Sequence, residues 1–427
     1  MSPTFASLHV RNYRIWAAGA IVSNVGTWMG RVAQDWVVLT ELTDHSATAL
    51  GIVTGLQFLP MLLLAPWTGA IADRVPKRRL LLATQATLGL AALIGGLLVV
   101  TGAAELWHFY GIALLTGVAT ALDNPARQTF VGEMVPADRL PNAVALNSAS
   151  FNLGRLVGPG VAGVIIGVAG SGPALLLNAV TFVAVMGSLL AMRAAELTPA
   201  PRTAGRGSAR EGLSYVRHRP DLQLVLVLIF VLGTFGMNFQ LTIALMATQV
   251  YGRGAEEYGL LGSVMAVGSL SAALLAARRN EPRLRVLLVA LVGFVLAATA
   301  AALAPTYLVF AVALAACGLT ALTAMTTANA MVQMRTAPEM RGRVMALYMA
   351  IFLGGTPVGA PVIGWIGDVL GPRWTIGVGA LAVGITLVVV SIWLARHENV
   401  QVSYESQRRP RVRIAAVPTH DVPQAAR

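Results

Sequence analysis

Charged side chains interrupt the long apolar stretches of this sequence at a few positions, all in its first half. Arg31 and Asp35 lie four residues apart, and Asp123 and Arg127 repeat that spacing. Residues four apart share one face of a helix. Arg155 stands in a third apolar stretch. Because ionisable groups inside long apolar helices are costly and mark ion or substrate pathways, we expect proton coupling to lie in the first half. Its candidate residues are Asp35, Arg31, Asp123 and Arg155.

Asp35 is the acid that we expect to carry the proton. A carrier must reach water on one side, become sequestered, and change charge between those states. Arg31, one helical turn away, is a cation whose changing distance would tie protonation to conformation. A solvated Asp35 near the outer interface is the alternative, and Asp123 is then the next candidate.

The composition indicates what surrounds these charges. Of the 427 residues, 56% are hydrophobic and 12% are charged, whereas a soluble domain has about 25% charged residues. The mean hydropathy is +0.69. The apolar runs are long and do not alternate, so they predict membrane-spanning helices and not barrel strands. The net charge of +12 is spread between these runs, which indicates loops of a membrane protein and argues against nucleic-acid binding.

Twelve apolar stretches are long enough to cross a bilayer. They are 15–39, 47–70, 80–102, 106–129, 144–167, 172–192, 222–250, 258–277, 286–303, 307–331, 344–366 and 374–394. If the N-terminus is cytoplasmic, the outer loops contain Arg253 and Arg373, Arg31 and Arg155 lie within spans, and the rest of the 31 basic residues lie inside. This asymmetry predicts that both termini are cytoplasmic.

The predicted spans divide into two groups of six. We expect a helical bundle at 1–192, a cytoplasmic linker with a short amphipathic helix at 193–221, and a second bundle at 222–395. The polar tail 396–427 is expected to lack regular structure. A weak internal repeat supports two halves. DNPARQ (123–128) aligns with ANAMVQ (328–333), and GRLVGPGVAG (154–163) aligns with GTPVGAPVIG (355–364) at nearly the same offset.

The polar loop GAIADRVPKRR after the second predicted span resembles the signature loop of the major facilitator superfamily. The residues that match its G-x-x-x-D-R-x-x-[RK]-[RK] pattern are Gly69, Asp73, Arg74, Lys77 and Arg78. Pro76 stands where the family has a second glycine. GPGVAG (158–163) resembles the GPxxGG motif of the superfamily's antiporters, with Ala162 in place of one glycine. The arginine motif that drug antiporters carry in the fourth span is absent from 106–120.

Three further segments narrow the resemblance to the enterobactin exporter-like permeases, also called transmembrane secretion effectors. They are RNYRIWAAGAIVSNVGTWMGRVAQDW, EGLSYVRHRP and EMRGRVMALY. The resemblance implies an all-α membrane protein with twelve helices in two pseudo-symmetric six-helix bundles. It implies a transporter and not an enzyme, which exports a drug-like compound or siderophore by proton antiport. A proton-coupled importer and a transport-inactive sensor or scaffold are the alternatives.

The resemblance assigns a gating role to the polar loop. Asp73 would face the start of the eleventh span near 343–346, where Gly69 permits a close approach of the helices. Arg78 would pair with Asp73 and position it, and Arg74 belongs to the same motif. The loop would then hold the inner gate shut while the outer side is open. An ordinary basic cytoplasmic loop is the alternative.

The fifth span has a backbone motif made of Gly154, Gly158, Pro159 and Gly163. The glycines permit close helix packing and the proline bends the helix. The resemblance implies that this bend favours export, and simple helix packing is the alternative.

Amide and aromatic side chains are expected to line a central cavity that suits an amphipathic substrate. They are Asn24, Trp28, Gln57, Asn147, Asn152, Phe235, Asn238, Phe239, Gln240 and Asn329. The sequence has no phosphate-binding GxxxxGK[ST] loop, and its six histidines lack metal-ligand spacing, so we expect no ATP, cofactor or metal. The expected partners are a small molecule, protons and the lipid bilayer, with no nucleic acid, for a monomer in the cell inner membrane.

Overall fold

The structure is a computed structural model that describes residues 3–198, 209–277, 282–397, 400–405 and 411–416. Helices occupy each of the twelve predicted spans. The first half contains α1 (Arg11–Trp36), α2 (Ala47–Leu63), α3 (Ala65–Arg74), α4 (Lys77–Val100), α5 (Leu106–Met134), α6 (Leu140–Ala169) and α7 (Ser171–Ala191). A π-helical turn at Val37–Glu41 extends α1, and a 3₁₀ turn at Pro3–His9 precedes it.

The second half follows a short linker helix. Its helices are α8 (Ala209–Arg217, the linker helix), α9 (Pro220–Val231), α10 (Phe239–Leu245), α11 (Ala255–Ala277), α12 (Leu284–Leu303), α13 (Tyr307–Arg335), α14 (Arg341–Gly354), α15 (Thr356–Leu370) and α16 (Pro372–His397). π-helical turns at Leu232–Gly236 and Met246–Val250 join α9 and α10 into one span.

Nine helical stretches among the described residues are long and apolar enough to cross a membrane by length and composition, so this criterion does not confirm the full count of twelve. The first, second and fourth predicted spans fall short. A break at Leu64 shortens α2, and α1 and α5 contain buried polar and charged side chains. Of these helices, α1 contains the Arg31–Asp35 pair and α5 contains the Asp123–Arg127 pair.

The bundle has two distinguishable ends. One end, which we call the termini end, contains the start of α1 and the end of α16. There the Asn12 side chain donates a hydrogen bond to the Arg193 carbonyl oxygen, which follows α7. At the opposite end, the far end, residues 35–48 approach residues 249–258 and 364–368 of the second half. The halves meet there along α2 with α15 and along α6 with α11.

Equivalent glycines make equivalent contacts in the two halves. A Cβ added at Gly163 on α6 would lie 2.7 Å from the Ala255 carbonyl oxygen at the start of α11. A Cβ added at Gly364 on α15 would overlap the Ala47 carbonyl oxygen at the start of α2. These two glycines are the last residues of the aligned repeat, so the contact pattern supports two related halves.

Turn geometry repeats in the same way. Gly170 ends α6 with φ +90°, and Gly371 ends α15 with φ +98°. Both lie in the left-handed region, where glycine avoids the steric cost that a Cβ brings. Each glycine lets the chain reverse at the far end into the last helix of its half.

The linker helix α8 forms as the sequence predicts and packs on α14. Glu211 forms an ion pair with Arg343 at 2.8 Å, and the Tyr215 hydroxyl accepts a hydrogen bond from the Ala337 amide at 3.3 Å. In the tail, where no regular structure was expected, β1 (Val400–Glu405) pairs antiparallel with β2 (Arg411–Ala416). Alternating β-branched residues in VQVSYE and RVRIAA favour such strands. Residues 199–208 of the linker and residues 398–399, 406–410 and 417–427 of the tail lie outside the described residues.

Candidate functional site

A cavity of about 740 Å³ lies among α1, α2, α4, α5, α6 and α7 of the first half. Its floor, toward the far end, is made of buried residues such as Gln34 and Phe109. Toward the termini end its wall is exposed, with Val144 at 48% and Phe151 at 50%. This gradient of exposure means that the cavity opens at the termini end and is closed at the far end.

Four of the predicted cavity residues lie on its wall: Asn24, Gln57, Asn147 and Asn152. Trp28 lies behind the wall, beneath the side chain of Arg31. The structure does not bring the second-half candidates to this wall; these are Phe235, Asn238, Phe239, Gln240 and Asn329. Their contact with a substrate stays a prediction.

Three of the second-half candidates have partners within their own half. Phe239 packs edge-on against Phe294 at 6.2 Å, and the Asn238 amide donates to the Thr234 carbonyl oxygen at 2.8 Å. Asn329 accepts a hydrogen bond from Gln333. Residue type alone did not reveal these local partners.

Sequence reasoning missed several polar wall residues. They include Gln34, Gln85, Asn124, Gln128 and Asn178. A signal was present, because wall residues recur every three or four positions along α1 (24, 27, 31, 34) and along α6 (144, 147, 148, 151, 152). That spacing is one helical face.

Asp35 lies at the closed far end, where the two halves meet, and is 4% exposed. The Tyr258 hydroxyl, on α11 of the second half, donates a hydrogen bond to Asp35 Oδ2 at 3.3 Å. The neighbouring Trp36 stacks on the Tyr258 ring at 6.2 Å. The predicted acid therefore has a hydrogen-bond partner in the opposite half.

Arg31 and Arg155, which we call the arginine pair, both face the indole ring of Trp28. The guanidinium carbon of Arg31 lies 4.9 Å from the ring centroid and that of Arg155 lies 5.7 Å from it. Among the described residues, no carboxylate forms an ion pair with either guanidinium and no hydrogen bond holds either. Asp35 acts on Arg31 through its charge alone.

Asp123 has a different setting although its spacing to Arg127 is the same. It is 4% exposed and accepts hydrogen bonds from Thr84 at 2.6 Å, Gln85 at 2.7 Å and Arg127 at 2.9 Å. The Arg127 guanidinium also lies 5.3 Å from the Trp16 ring. All these partners belong to the first half, and the hydrogen bonds from Thr84 and Gln85 join α4 to α5.

The gate motif spans the end of α3 and the start of α4 at the termini end. The side chain of Asp73 lies outside what the structure describes, so its predicted pairing with Arg78 stays a prediction. Arg78 Nε donates to the Leu189 carbonyl oxygen at 2.7 Å, near the end of α7. The adjacent Lys77 forms an ion pair with Glu133 at 2.6 Å. The helix α3, which contains Gly69 and Arg74, packs on α5.

The glycine-proline motif of α6 faces two helices. A Cβ at Gly154 would lie 2.8 Å from the Asn24 backbone, and one at Gly158 would lie 2.6 Å from the Trp28 Cβ, so both glycines bring α6 against α1. Pro159 lies against Gly262 of α11, where an added Cβ would approach it to 2.9 Å. The motif therefore packs α6 within its own half and across to the other.

A second contact across the halves closes the far end at α2. The Asp368 carboxylate, on α15, accepts hydrogen bonds from the backbone amides of Ala47 at 2.7 Å and Thr48 at 2.9 Å. The Ser46 hydroxyl donates to it at 3.2 Å. A carboxylate at this place satisfies free amides and suits the positive end of the helix.

Two other features carry no comparable chemistry. The residues that the structure describes contain no group of three or more His, Cys, Asp or Glu side chains placed to hold a metal. A groove of about 730 Å³ between α12 and α16 is lined by exposed apolar residues such as Leu381 and Val388. Such a surface fits contact with lipid chains.

Comparison with known proteins places this geometry in a family. The model of the transmembrane secretion effector family matches residues 2–419. The chain is 23% identical over 394 residues to macrolide efflux protein A of Streptococcus pyogenes, covering 88% of this chain and 94% of that protein. It is 25% identical over 366 residues to the enterobactin exporter of Shigella boydii serotype 18, covering 84% and 87%.

A third relative matches over a shorter stretch. The staphyloferrin A transporter of Staphylococcus aureus (strain NCTC 8325 / PS 47) is 29% identical over 261 residues, and the match spans 58% of this chain and 63% of that protein. Among solved structures, a bacterial homologue of the lysosomal transporter Spinster, in an inward-facing and unoccupied conformation, superposes with a TM-score of 0.67 at 15% identity over 93% of this chain and 96% of that one. The nucleoside transporter NupG superposes with a TM-score of 0.66 at 12% identity over 90% and 98%. By sequence and by fold, this chain belongs to the transmembrane secretion effector family and is a multi-pass membrane transporter of the major facilitator type.

Proposed function

We propose that this transporter exports a small amphipathic molecule in exchange for protons, and that Asp35 carries the proton. The supporting observation is the hydrogen bond from Tyr258 to Asp35, which joins the two halves at the closed far end. A carboxylate whose partner belongs to the other half changes its surroundings whenever the halves move apart. Proton binding at Asp35 is thereby tied to conformation.

The transport cycle would alternate between two openings of one cavity. In the described state the cavity opens at the termini end, which the distribution of basic residues predicts to be cytoplasmic. When the far end opens, Tyr258 moves away with the second half and water reaches Asp35. In that state the 69–78 loop would hold the termini end shut, as its resemblance to the family motif implies.

Export is the direction that the relatives favour, because two of them are named as an efflux protein and an exporter. One observation favours a second candidate, proton-coupled import. Arg31 lies beside Asp35 without an ion-pair partner among the described residues. Protonation of Asp35 would release Arg31 to hold an acidic substrate, so that proton and substrate would bind together and move together.

A substrate screen in everted membrane vesicles with an imposed pH gradient separates these functions. Drug-like compounds and siderophores are offered to vesicles with an acidic lumen. Exchange predicts that the substrate accumulates in the lumen while protons leave. Co-transport predicts that such vesicles expel preloaded substrate together with protons. A compound that moves in vesicles with the protein no faster than in vesicles without it is not a substrate, and a panel without any substrate contradicts the proposal.

A further inference from the structure

We propose that the floor of the cavity binds an acidic group of the substrate, a carboxylate or an anion of similar size, through the arginine pair and Gln34. The proposal rests on the proposed function in one respect, that this cavity holds the substrate. It does not depend on the direction of transport or on the coupling of transport to protons.

The arginine pair lies on the helix faces that form the cavity wall. Arg31 is itself a wall residue, one turn from Thr27 and from Gln34. Arg155 lies three residues after Asn152 and four after Phe151, which are both on the wall, so it continues the same face of α6. The Trp28 ring contacts both guanidinium groups, and Arg155 is close enough to Arg31, which lines the cavity, for their charges to interact.

Gln34 supplies an independent observation. Its side chain lines the cavity, is 7% exposed, and its Nε2 has no hydrogen-bond partner among the described residues. A buried donor without an acceptor is costly, so native structures rarely keep one without a ligand or water to satisfy it. This amide adds a third donor beside the two guanidinium groups.

The charges around the floor do not cancel. Asp35 lies beside Arg31 and is hydrogen-bonded to Tyr258, and Arg155 has no ion-pair partner among the described residues. Asp123 lines the same cavity nearer the termini end and is already paired with Arg127. Two partly buried guanidinium groups with one acid leave a positive charge that is costly to keep unpaired. A carboxylate carries the opposite charge and can accept two parallel hydrogen bonds from a planar guanidinium.

The test compares a carboxylate with its neutral amide. Binding of 1-naphthoate and of 1-naphthamide, which have the same ring and nearly the same size, is measured by titration calorimetry on the purified full chain. We expect naphthoate to bind at least about tenfold more tightly, since a hydrogen bond to a charged group is worth roughly 1.5–3 kcal/mol. Arg31→Gln and Arg155→Gln should each remove this preference, and Arg155→Lys should restore part of it.

Arg253→Gln is the matched control. Arg253 also lies over an aromatic ring, Tyr307 at 5.7 Å, but outside the cavity, so this variant should keep the preference for naphthoate. Each variant is required to elute as a single species on size exclusion. The proposal is overturned if naphthoate does not bind, if naphthamide binds equally well, or if the preference survives both glutamine variants. A failure of pH-driven transport with the binding preference intact would contradict the proposed function and leave this inference standing.

Discussion

Two acids with the same spacing to an arginine differ in what holds them. Asp123 accepts three hydrogen bonds, all from its own half. Asp35 accepts one, from Tyr258 of the other half. A carboxylate with three donors of its own half keeps its surroundings when the halves move, whereas Asp35 does not. We therefore assign Asp123 a structural role and keep Asp35 as the proposed proton carrier.

Asp123→Asn is predicted to weaken folding without changing the pH dependence of transport. The change removes the charge that pairs with the partly buried Arg127, and breaking a buried pair costs about 3–5 kcal/mol. Thermal unfolding in detergent should show a lower midpoint for this variant. Asp138→Asn is the control, because Asp138 is 77% exposed and lies 3.9 Å from Arg139. An unchanged midpoint together with an altered pH profile would reverse the assignment.

The sequence predicts which residues carry charge but not which of them have hydrogen-bond and ion-pair partners. The spacing of four in Arg31–Asp35 and Asp123–Arg127 is visible in one helix. The groups that distinguish the pairs, Thr84 and Tyr258, come from α4 and α11. Their positions depend on how helices pack, which no local pattern encodes.

At the scale of elements, the far end is held by an acid from one half at a helix start of the other. Asp368 accepts the first amides of α2, and Gly364 lets α15 approach the same turn. The resemblance predicts the converse arrangement at the termini end, with Asp73 facing the start of α14. The contact between the second and eleventh spans would then have one such latch at each end, with the two latches closed in opposite states.

Asp368→Asn is predicted to shift the transporter toward the state that is open at the far end. A charge at a helix N-terminus is worth about 0.3–2 kcal/mol, so the population should change several-fold. The reporter is Gln34→Cys in a Cys317→Ala background, which an impermeant thiol reagent reaches from outside intact cells only when the far end opens. Labelling should become faster.

The control for this measurement is Glu257→Gln, since Glu257 lies at the same end but pairs with Arg253 of its own half at 3.7 Å. It should leave the labelling rate unchanged. Equal labelling rates for Asp368→Asn and the unchanged protein would contradict the proposed role of Asp368 in closing the far end.

Apolar length predicted where the helices lie, because each span must satisfy its backbone internally. The break at Leu64 and the hairpin β1–β2 were not predicted. Phe239 was predicted from its residue type to line a central cavity, and the structure packs it on Phe294. Its contact with a substrate stays a prediction. Residue type records what a side chain can bind, whereas the helix rotation that decides what it faces is set by packing.

At the scale of the whole molecule, the asymmetry of basic residues predicts the orientation in the membrane. Ser208→Cys in a Cys317→Ala background should resist an impermeant thiol reagent in intact cells, because the linker is predicted to be cytoplasmic. Asp44→Cys is the positive control, since Asp44 is fully exposed at the far end. Labelling at residue 208 without labelling at residue 44 would contradict the predicted topology.

The central claim is that Asp35 couples protons to transport, and uphill transport by Asp35→Asn tests it most directly. Everted vesicles with an imposed pH gradient are compared for the unchanged protein, Asp35→Asn and the exposed control Asp138→Asn. The account predicts that Asp35→Asn loses accumulation against the gradient but still equilibrates the substrate, while Asp138→Asn accumulates it normally. Accumulation by Asp35→Asn with the pH dependence of the unchanged protein would contradict the account.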